Sequence, residues 1–220
     1  MIVTKKKPIE EILKALGAAS KIFIIGCGDC ASTCKTGGEK EILEIKAGLE
    51  ANGKSVTGWA MPDSPCIASQ IKAHFAKNKK MTDASEAFLV LSCGLGGQSV
   101  FENDRNKRPV YIGCDTIFGA ILDAAGSGFF ERCAMCGECV LNITAGICPV
   151  TRCAKGLLNG PCGGSNKGKC EVDKNKDCAW ILIYNRLKDL NKLDDLKNIK
   201  PAKDYSKITR PREMILGNQM

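Results

Sequence analysis

Fourteen cysteines in 220 residues, against a single histidine, restrict what this chain can become more than any other feature. Eight of them fall between Cys133 and Cys178, and the densest stretch reads "CAMCGECVLNITAGICPVTRCAKGLLNGPC" (133–162). Thiols at this density pair into disulfides, hold zinc, or hold iron–sulfur clusters. Compartment chooses among the three. The opening "MIVTKKKPIEEILKALGAASKIFIIGC" has the outline of a lipoprotein leader, but Glu10, Glu11, Lys14 and Lys21 interrupt its apolar run. A signal peptide needs an unbroken apolar stretch of about 7–15 residues. No run approaches the roughly 20 apolar residues that cross a bilayer. The expected location is the cytoplasm, where thiols stay reduced and dense cysteine signals metal or redox chemistry.

The net charge of +8 is scattered as lysine, and aromatics make up only 5% of the chain. That composition lacks the stacking surface and the arginine-rich groove of a nucleic-acid binder. Neither nucleic acid nor membrane is an expected partner.

Apolar periodicity organises the first half. Residues 8–19 read as a helix with Ile9, Ile12, Leu13 and Leu16 on one face, and "KIFIIGC" (21–27) as a buried strand. Helical spacing over 36–53 ends at Asn52-Gly53, a stop signal. Strands are expected at 54–62, 86–94 and 108–115, with helices at 66–77 and 116–126. This alternation predicts an α/β fold, a small open parallel sheet with helices on both faces, Rossmann- or flavodoxin-like. From Phe129 the periodicity stops, and the stretch to Cys178 has too few apolar residues for its own core. Such a segment needs metal or another staple. Helical spacing returns at 178–193 and an extended basic arm follows. The expected domains are 1–128, 129–178 and 179–220.

Cysteines in the first half cluster at strand ends. Cys27, Cys30 and Cys34 follow the first strand, Cys66 the second, Cys93 ends the third and Cys114 the fourth. Ligands of open parallel sheets bind outside those carboxyl ends. "GCGDCA" (26–31) also fits the dinucleotide fingerprint G-x-G-x-x-A, but cysteine occupies the phosphate turn and no acid ends the second strand on cue. A thiolate-bound cluster is another anion suited to a helix N-terminus. Cys27, Cys30, Cys34 and Cys93 form the expected four-thiolate set, with Cys66 as substitute and Cys114 as a buried structural residue. Gly26, Gly28, Gly94 and Gly96 are expected to let backbone approach the cofactor.

In the second half, CxxCxxC at Cys133, Cys136 and Cys139 can wrap three corners of a cubane, as in bacterial ferredoxins, where a further cysteine precedes proline. Cys148-Pro149 supplies that element, and Cys153, Cys162, Cys170 and Cys178 complete the thiols for two four-iron clusters. Zinc, which favours two separated CxxC-type pairs, is the rival and remains possible at one site. "GGSNKGKC" (163–170) fails as a phosphate loop, because Cys170 stands where Ser or Thr would bind magnesium. His74, the one histidine, has no reason to activate any thiol.

The block from Cys133 through "GKCEVDKNKDCAW" to "IYNRL", together with "GCGDCASTCKTGGEKE" and "LVLSCGLGGQSV", resembles the MetV family. That family is the small iron–sulfur subunit of the methylenetetrahydrofolate reductase of acetogenic anaerobes. The resemblance implies two or three [4Fe-4S] clusters and a large, MetF-type partner subunit that carries FMN or FAD and binds the folate. It further implies a donor such as a ferredoxin or a nicotinamide-reducing flavoprotein. In that reading the chain transfers electrons and is not catalytic by itself, and the arm containing "KDYS" and "RPRE" packs on the partner. The alternative is a zinc-stapled interaction module without a redox role.

Overall fold

Continuous apolar strands produce a sheet buried on both faces, and the first half of this chain does so. The structure, a computed structural model, describes residues 1–215. It divides into two compact units, Met1–Ala120 and Ile121–Met220.

In the first unit β1 (Ile2–Lys6), α1 (Ile9–Leu16), β2 (Lys21–Ile25), the short α2 (Cys30–Thr33) and α3 (Glu39–Ala51) follow one another. Next come β3 (Ser55–Ala60), α4 (Ala68–Lys77), α5 (Lys79–Asp83), β4 (Ala87–Val90), α6 (Gly94–Asn103) and β5 (Val110–Ile112). The four-stranded sheet has the order β3-β2-β4-β5 and is parallel throughout. Strand alternation divides the core between its faces. Ile22, Ile24 and Leu89 pack with Ile12 and Leu16 of α1 and Ile42, Ile45 and Leu49 of α3. Phe23, Ile25, Phe88 and Val90 face Ile71 of α4 and Val100 of α6. The expected α/β architecture is present. Helix α3 begins as its sequence asks: the Glu41 carboxylate accepts the Gly38 N–H at 3.1 Å and so satisfies one orphan donor. Just before it, a Cβ on Gly37 would stand 1.9 Å from the Leu91 carbonyl oxygen, so only glycine lets this loop cross the sheet edge.

Two elements depart from the sequence reading. The helix expected at 116–126 is instead strand β6 (Cys114–Leu122), antiparallel to β1. Thr116, Ile117 and Phe118 favour a pleated ladder once β1 offers a partner, and Gly119 would weaken a helix by about 1 kcal/mol. Asp123 then accepts both the N–H and the hydroxyl of Ser127 and closes a turn. The opening Ile2–Lys6, weighed above only as the head of a leader, is strand β1.

The second unit holds the end of β6, β7 (Phe129–Glu131), the short α7 (Pro149–Arg152), α8 (Ala179–Asp189) and two 3₁₀ turns at Leu193–Lys197 and Tyr205–Ile208. Its apolar cluster is small: Trp180, Ile183 and Leu187 of α8 with Cys178, backed by Ile147, Leu157, Leu193 and Leu196. The Trp180 indole N–H donates to the Leu157 carbonyl at 3.0 Å. Residues 216–220 of the expected arm lie outside the described residues. Among the described residues no helix is long and apolar enough to cross a membrane.

One buried ion pair braces the first unit. Asp104 accepts from the Arg108 Nη2 at 2.6 Å and from the Arg108 and Asn106 backbone N–H groups, and the guanidinium lies 4.5 Å from the Phe88 ring centroid. Burial opposes ionisation of Asp104, but Arg108 outweighs it and holds the carboxyl below its ordinary value. A depressed carboxyl stabilises the fold above its unfolded-state value, near ~3.9, and that contribution disappears as pH falls through the lower native value. Asp104→Ala should cost about 3 kcal/mol in urea unfolding at pH 7, since it strands a buried guanidinium. Acid unfolding of Asp104→Asn should lack the part of the pH dependence below about pH 4 that the unaltered chain shows.

Candidate metal centres

The parallel order β3-β2-β4-β5 puts its topological switch between β2 and β4, because the chain leaves β2 toward β3 and later returns on the other side. Cys27 lies two residues past the end of β2, and Cys93 lies three past β4 as the N-cap of α6. Both are buried. Cys30 opens α2, and Cys66 lies in the loop between β3 and α4. Electrostatics ties these four together. Burial pushes the Cys27 thiol up, and neighbouring Cys30 and Cys93 add to the shift. Partial burial raises Cys66 as well, followed by Cys93 and Cys30. Crowded thiols of this kind ionise together only if a cation neutralises them.

Cys34 lies against the same residue of β1 as Cys30. Its thiol points to the Ile2 carbonyl at 3.8 Å, while the Ile2 N–H donates to the Cys30 sulfur at 3.4 Å. Cys34 also lies near enough to Cys114 to raise that thiol, although burial is the main cause of the shift there, to about 12. Cys114 is buried in the core and donates to the Thr36 carbonyl at 3.5 Å, as a structural residue would. Sequence spacing favoured Cys34 over Cys66, because 27, 30 and 34 are contiguous; the crossover connection that returns Cys66 to the same edge is a property of the fold.

The glycines expected to line the cofactor face protein. A Cβ on Gly26 would meet the Gly37 carbonyl at 2.5 Å, one on Gly28 the Asp63 Cα at 3.1 Å, and one on Gly96 the Ser92 hydroxyl at 2.3 Å. At Gly94 a Cβ would meet only the Thr116 hydroxyl, at 3.5 Å, and the Gly94 N–H donates to that same oxygen.

In the second unit the CxxCxxC loop turns through Met135 and Gly137, both with positive φ, and the Met135 N–H donates to the Cys133 sulfur at 3.4 Å. Burial opposes ionisation of Cys136, yet the Glu138 backbone and the Lys203 ammonium outweigh it and pull the thiol below its ordinary value. Cys148 caps α7, and Arg152 at the end of that helix stands close enough to Arg132 to help depress its pKa, behind the main effect of burial. Arg132 is the chain neighbour of Cys133, and two cations held this close together suit an anionic neighbour.

The other four thiols, Cys153, Cys162, Cys170 and Cys178, line one cavity of about 20 Å³. That is room for a single ion or water. The Cys162 thiol donates to Glu171 Oε1 at 3.0 Å, and Lys155 pairs with the same carboxylate. Two backbone bonds fix the turn that carries Cys170 and Cys178: Cys170 N–H to the Lys176 carbonyl and Cys178 N–H to the Gly168 carbonyl. A larger cavity of about 410 Å³, walled by Ile143, Leu158, Trp180, Ile181, Tyr184 and Leu196, holds no thiol.

All fourteen cysteines are free thiols. Among the described residues no three Cys, His, Asp or Glu side chains converge closely enough to share one metal ion. A cubane asks for a wider arrangement, since each thiolate binds a different iron, and soft thiolate donors in fours suit it. Cys133 and Cys139 are exposed thiols, whereas Cys114 at a pKa of about 12 carries roughly a thousandfold less thiolate at pH 8 than an ordinary cysteine. Alkylation of the metal-free chain followed by mass spectrometry should label Cys133 and Cys139 readily and leave Cys114 unmodified until the fold is denatured.

No curated protein and no solved structure matches the chain. Residues 111–206, which contain Cys114 and every cysteine from Cys133 to Cys178, match the family described as methylene-tetrahydrofolate reductase C terminal, and this relates that stretch to methylenetetrahydrofolate reductases.

Proposed function

We propose that the chain is an iron–sulfur electron-transfer subunit of a methylenetetrahydrofolate reductase complex, of the MetV kind. It delivers electrons to the flavin of a folate-binding barrel subunit for reduction of methylene- to methyl-tetrahydrofolate. The observation that carries this reading is the family match over the whole cysteine-rich module. In the first unit Cys27, Cys30 and Cys93, with Cys66 as the fourth donor in place of Cys34, would hold one [4Fe-4S] cluster. In the second unit Cys133, Cys136, Cys139 and Cys148 would hold another. Cys153, Cys162, Cys170 and Cys178, which line one cavity, would hold the last centre, a further cluster or zinc.

When bound, such clusters supply one electron at a time, which a flavin can collect in pairs. The chain's own residues hold, shield and bias these centres. Buried Cys27 and Cys93 exclude water from the switch point, and the N-terminus of α6 favours negative charge beside Cys93. Arg132 and Arg152, close to one another, add positive charge to this unit. The wholly structural alternative, zinc without redox chemistry, has in its favour the four thiols that line one small cavity.

Metal and acid-labile sulfide analysis of anaerobically purified chain separates the two. The expected result is a brown protein absorbing broadly near ~400 nm, with roughly four iron per engaged set of four cysteines and zinc at the last site at most. Cys93→Ser should lose about four iron, whereas Cys34→Ser and Cys114→Ser should retain all of it. Colourless protein containing zinc alone would establish the structural alternative.

A further inference from the structure

Beyond α8 the chain turns back onto its own cysteine module. The Asn159 side chain exchanges two 2.8 Å hydrogen bonds with the backbone of Lys200. Three residues later Lys203 is only 8% exposed, and its ammonium donates to the Glu138 carbonyl oxygen inside the CxxCxxC loop. The Asp204 N–H donates to the Glu138 carboxylate at 3.1 Å, and the Lys207 ammonium lies 3.9 Å from the same group. The Lys207 backbone passes so close to Gly137 that a Cβ there would lie 3.2 Å from its carbonyl oxygen. Arg212 donates to the Met135 carbonyl at 2.9 Å. Residues 200–212 therefore form a strap across the loop that carries Cys133, Cys136 and Cys139.

The odd member is Lys203. Lysine is almost never buried unless paired. Among the described residues no carboxylate lies within ion-pair distance of its ammonium; its neighbours are a neutral carbonyl and the sulfur of Cys136. A buried cation in such a setting is compensated only if its neighbourhood becomes anionic. Four thiolates around an iron–sulfur core provide that charge.

We propose that Lys203 is a positioning residue that raises the reduction potential of the centre held by the Cys133–Cys139 loop, and that the strap exists to bring its charge there. The inference rests on the iron–sulfur reading above. Reduction adds one electron to an already anionic core and involves no bond or proton in the strap. A fixed cation stabilises the reduced form more than the oxidised one.

Titration of the full, cluster-loaded chain with dithionite, followed by electron paramagnetic resonance, reads this directly; the relevant signal is the one lost in Cys139→Ser. At a fixed potential Lys203→Met should reduce the ratio of reduced to oxidised centre about tenfold, a shift of about 59 mV for one electron. Lys203→Gln keeps a donor for the Glu138 carbonyl and should shift equally, while Lys203→Arg should restore the original value. The signal lost in Cys93→Ser should not move. Unchanged potential in Lys203→Met and Lys203→Gln, with iron still bound, overturns the proposal and leaves the iron–sulfur reading standing. Loss of the centre from both variants but not from Lys203→Arg also overturns it, since Lys203 is then a brace. Absence of iron from the unaltered chain overturns the underlying reading instead.

Discussion

The parallel register of β2 with β3 and β4 is the constraint on which the first unit depends. Parallel strands deliver all their carboxyl ends to one edge, so residues distant in sequence meet there without any direct attraction between them. Cys27, Cys66 and Cys93 share an edge because Ile22–Ile25 and Phe88–Val90 are apolar on alternating faces and are covered by α1 and α3 on one side, α4 and α6 on the other. An antiparallel arrangement of the same strands would scatter the thiols to opposite ends. Apolar packing, and not sulfur chemistry, places these thiols.

The second unit is built on the opposite principle. Its apolar contribution is one helix face and a few loop side chains, and the backbone between β7 and α8 is held mainly by isolated turn hydrogen bonds. Six of the nine positive-φ glycines of the described residues lie there, at 137, 146, 156, 160, 163 and 168, which is the conformational signature of successive tight turns. Burial of apolar surface explains the order of α8; it does not by itself explain the order of residues 133–178.

The sequence made the parallel sheet legible because Ile, Phe and Val crowd short runs bounded by glycine, and all four sheet strands lie where that pattern puts them. It concealed β6, because "TIFGAIL" supports either period and only the presence of β1 decides between them. The grouping of thiols was legible in the CxxCxxC loop, where three donors are neighbours in sequence. Cys66 could be placed at the shared strand-end edge and Cys153, Cys162, Cys170 and Cys178 could be counted as the remaining thiols, but that these four line one cavity was not legible, because it depends on how the turns between them fold. Lys203 carried no signal at all, being one lysine among many in a basic tail.

The core of β2 and β4 is complete without any inorganic component, and this has a bearing on biogenesis. Under the proposed iron–sulfur reading, a domain that closes its own interior presents its thiol-lined rim already folded to whatever fills it. The cysteine-rich half has only a small apolar cluster of its own, so in the same reading its folding and its filling would be a single event.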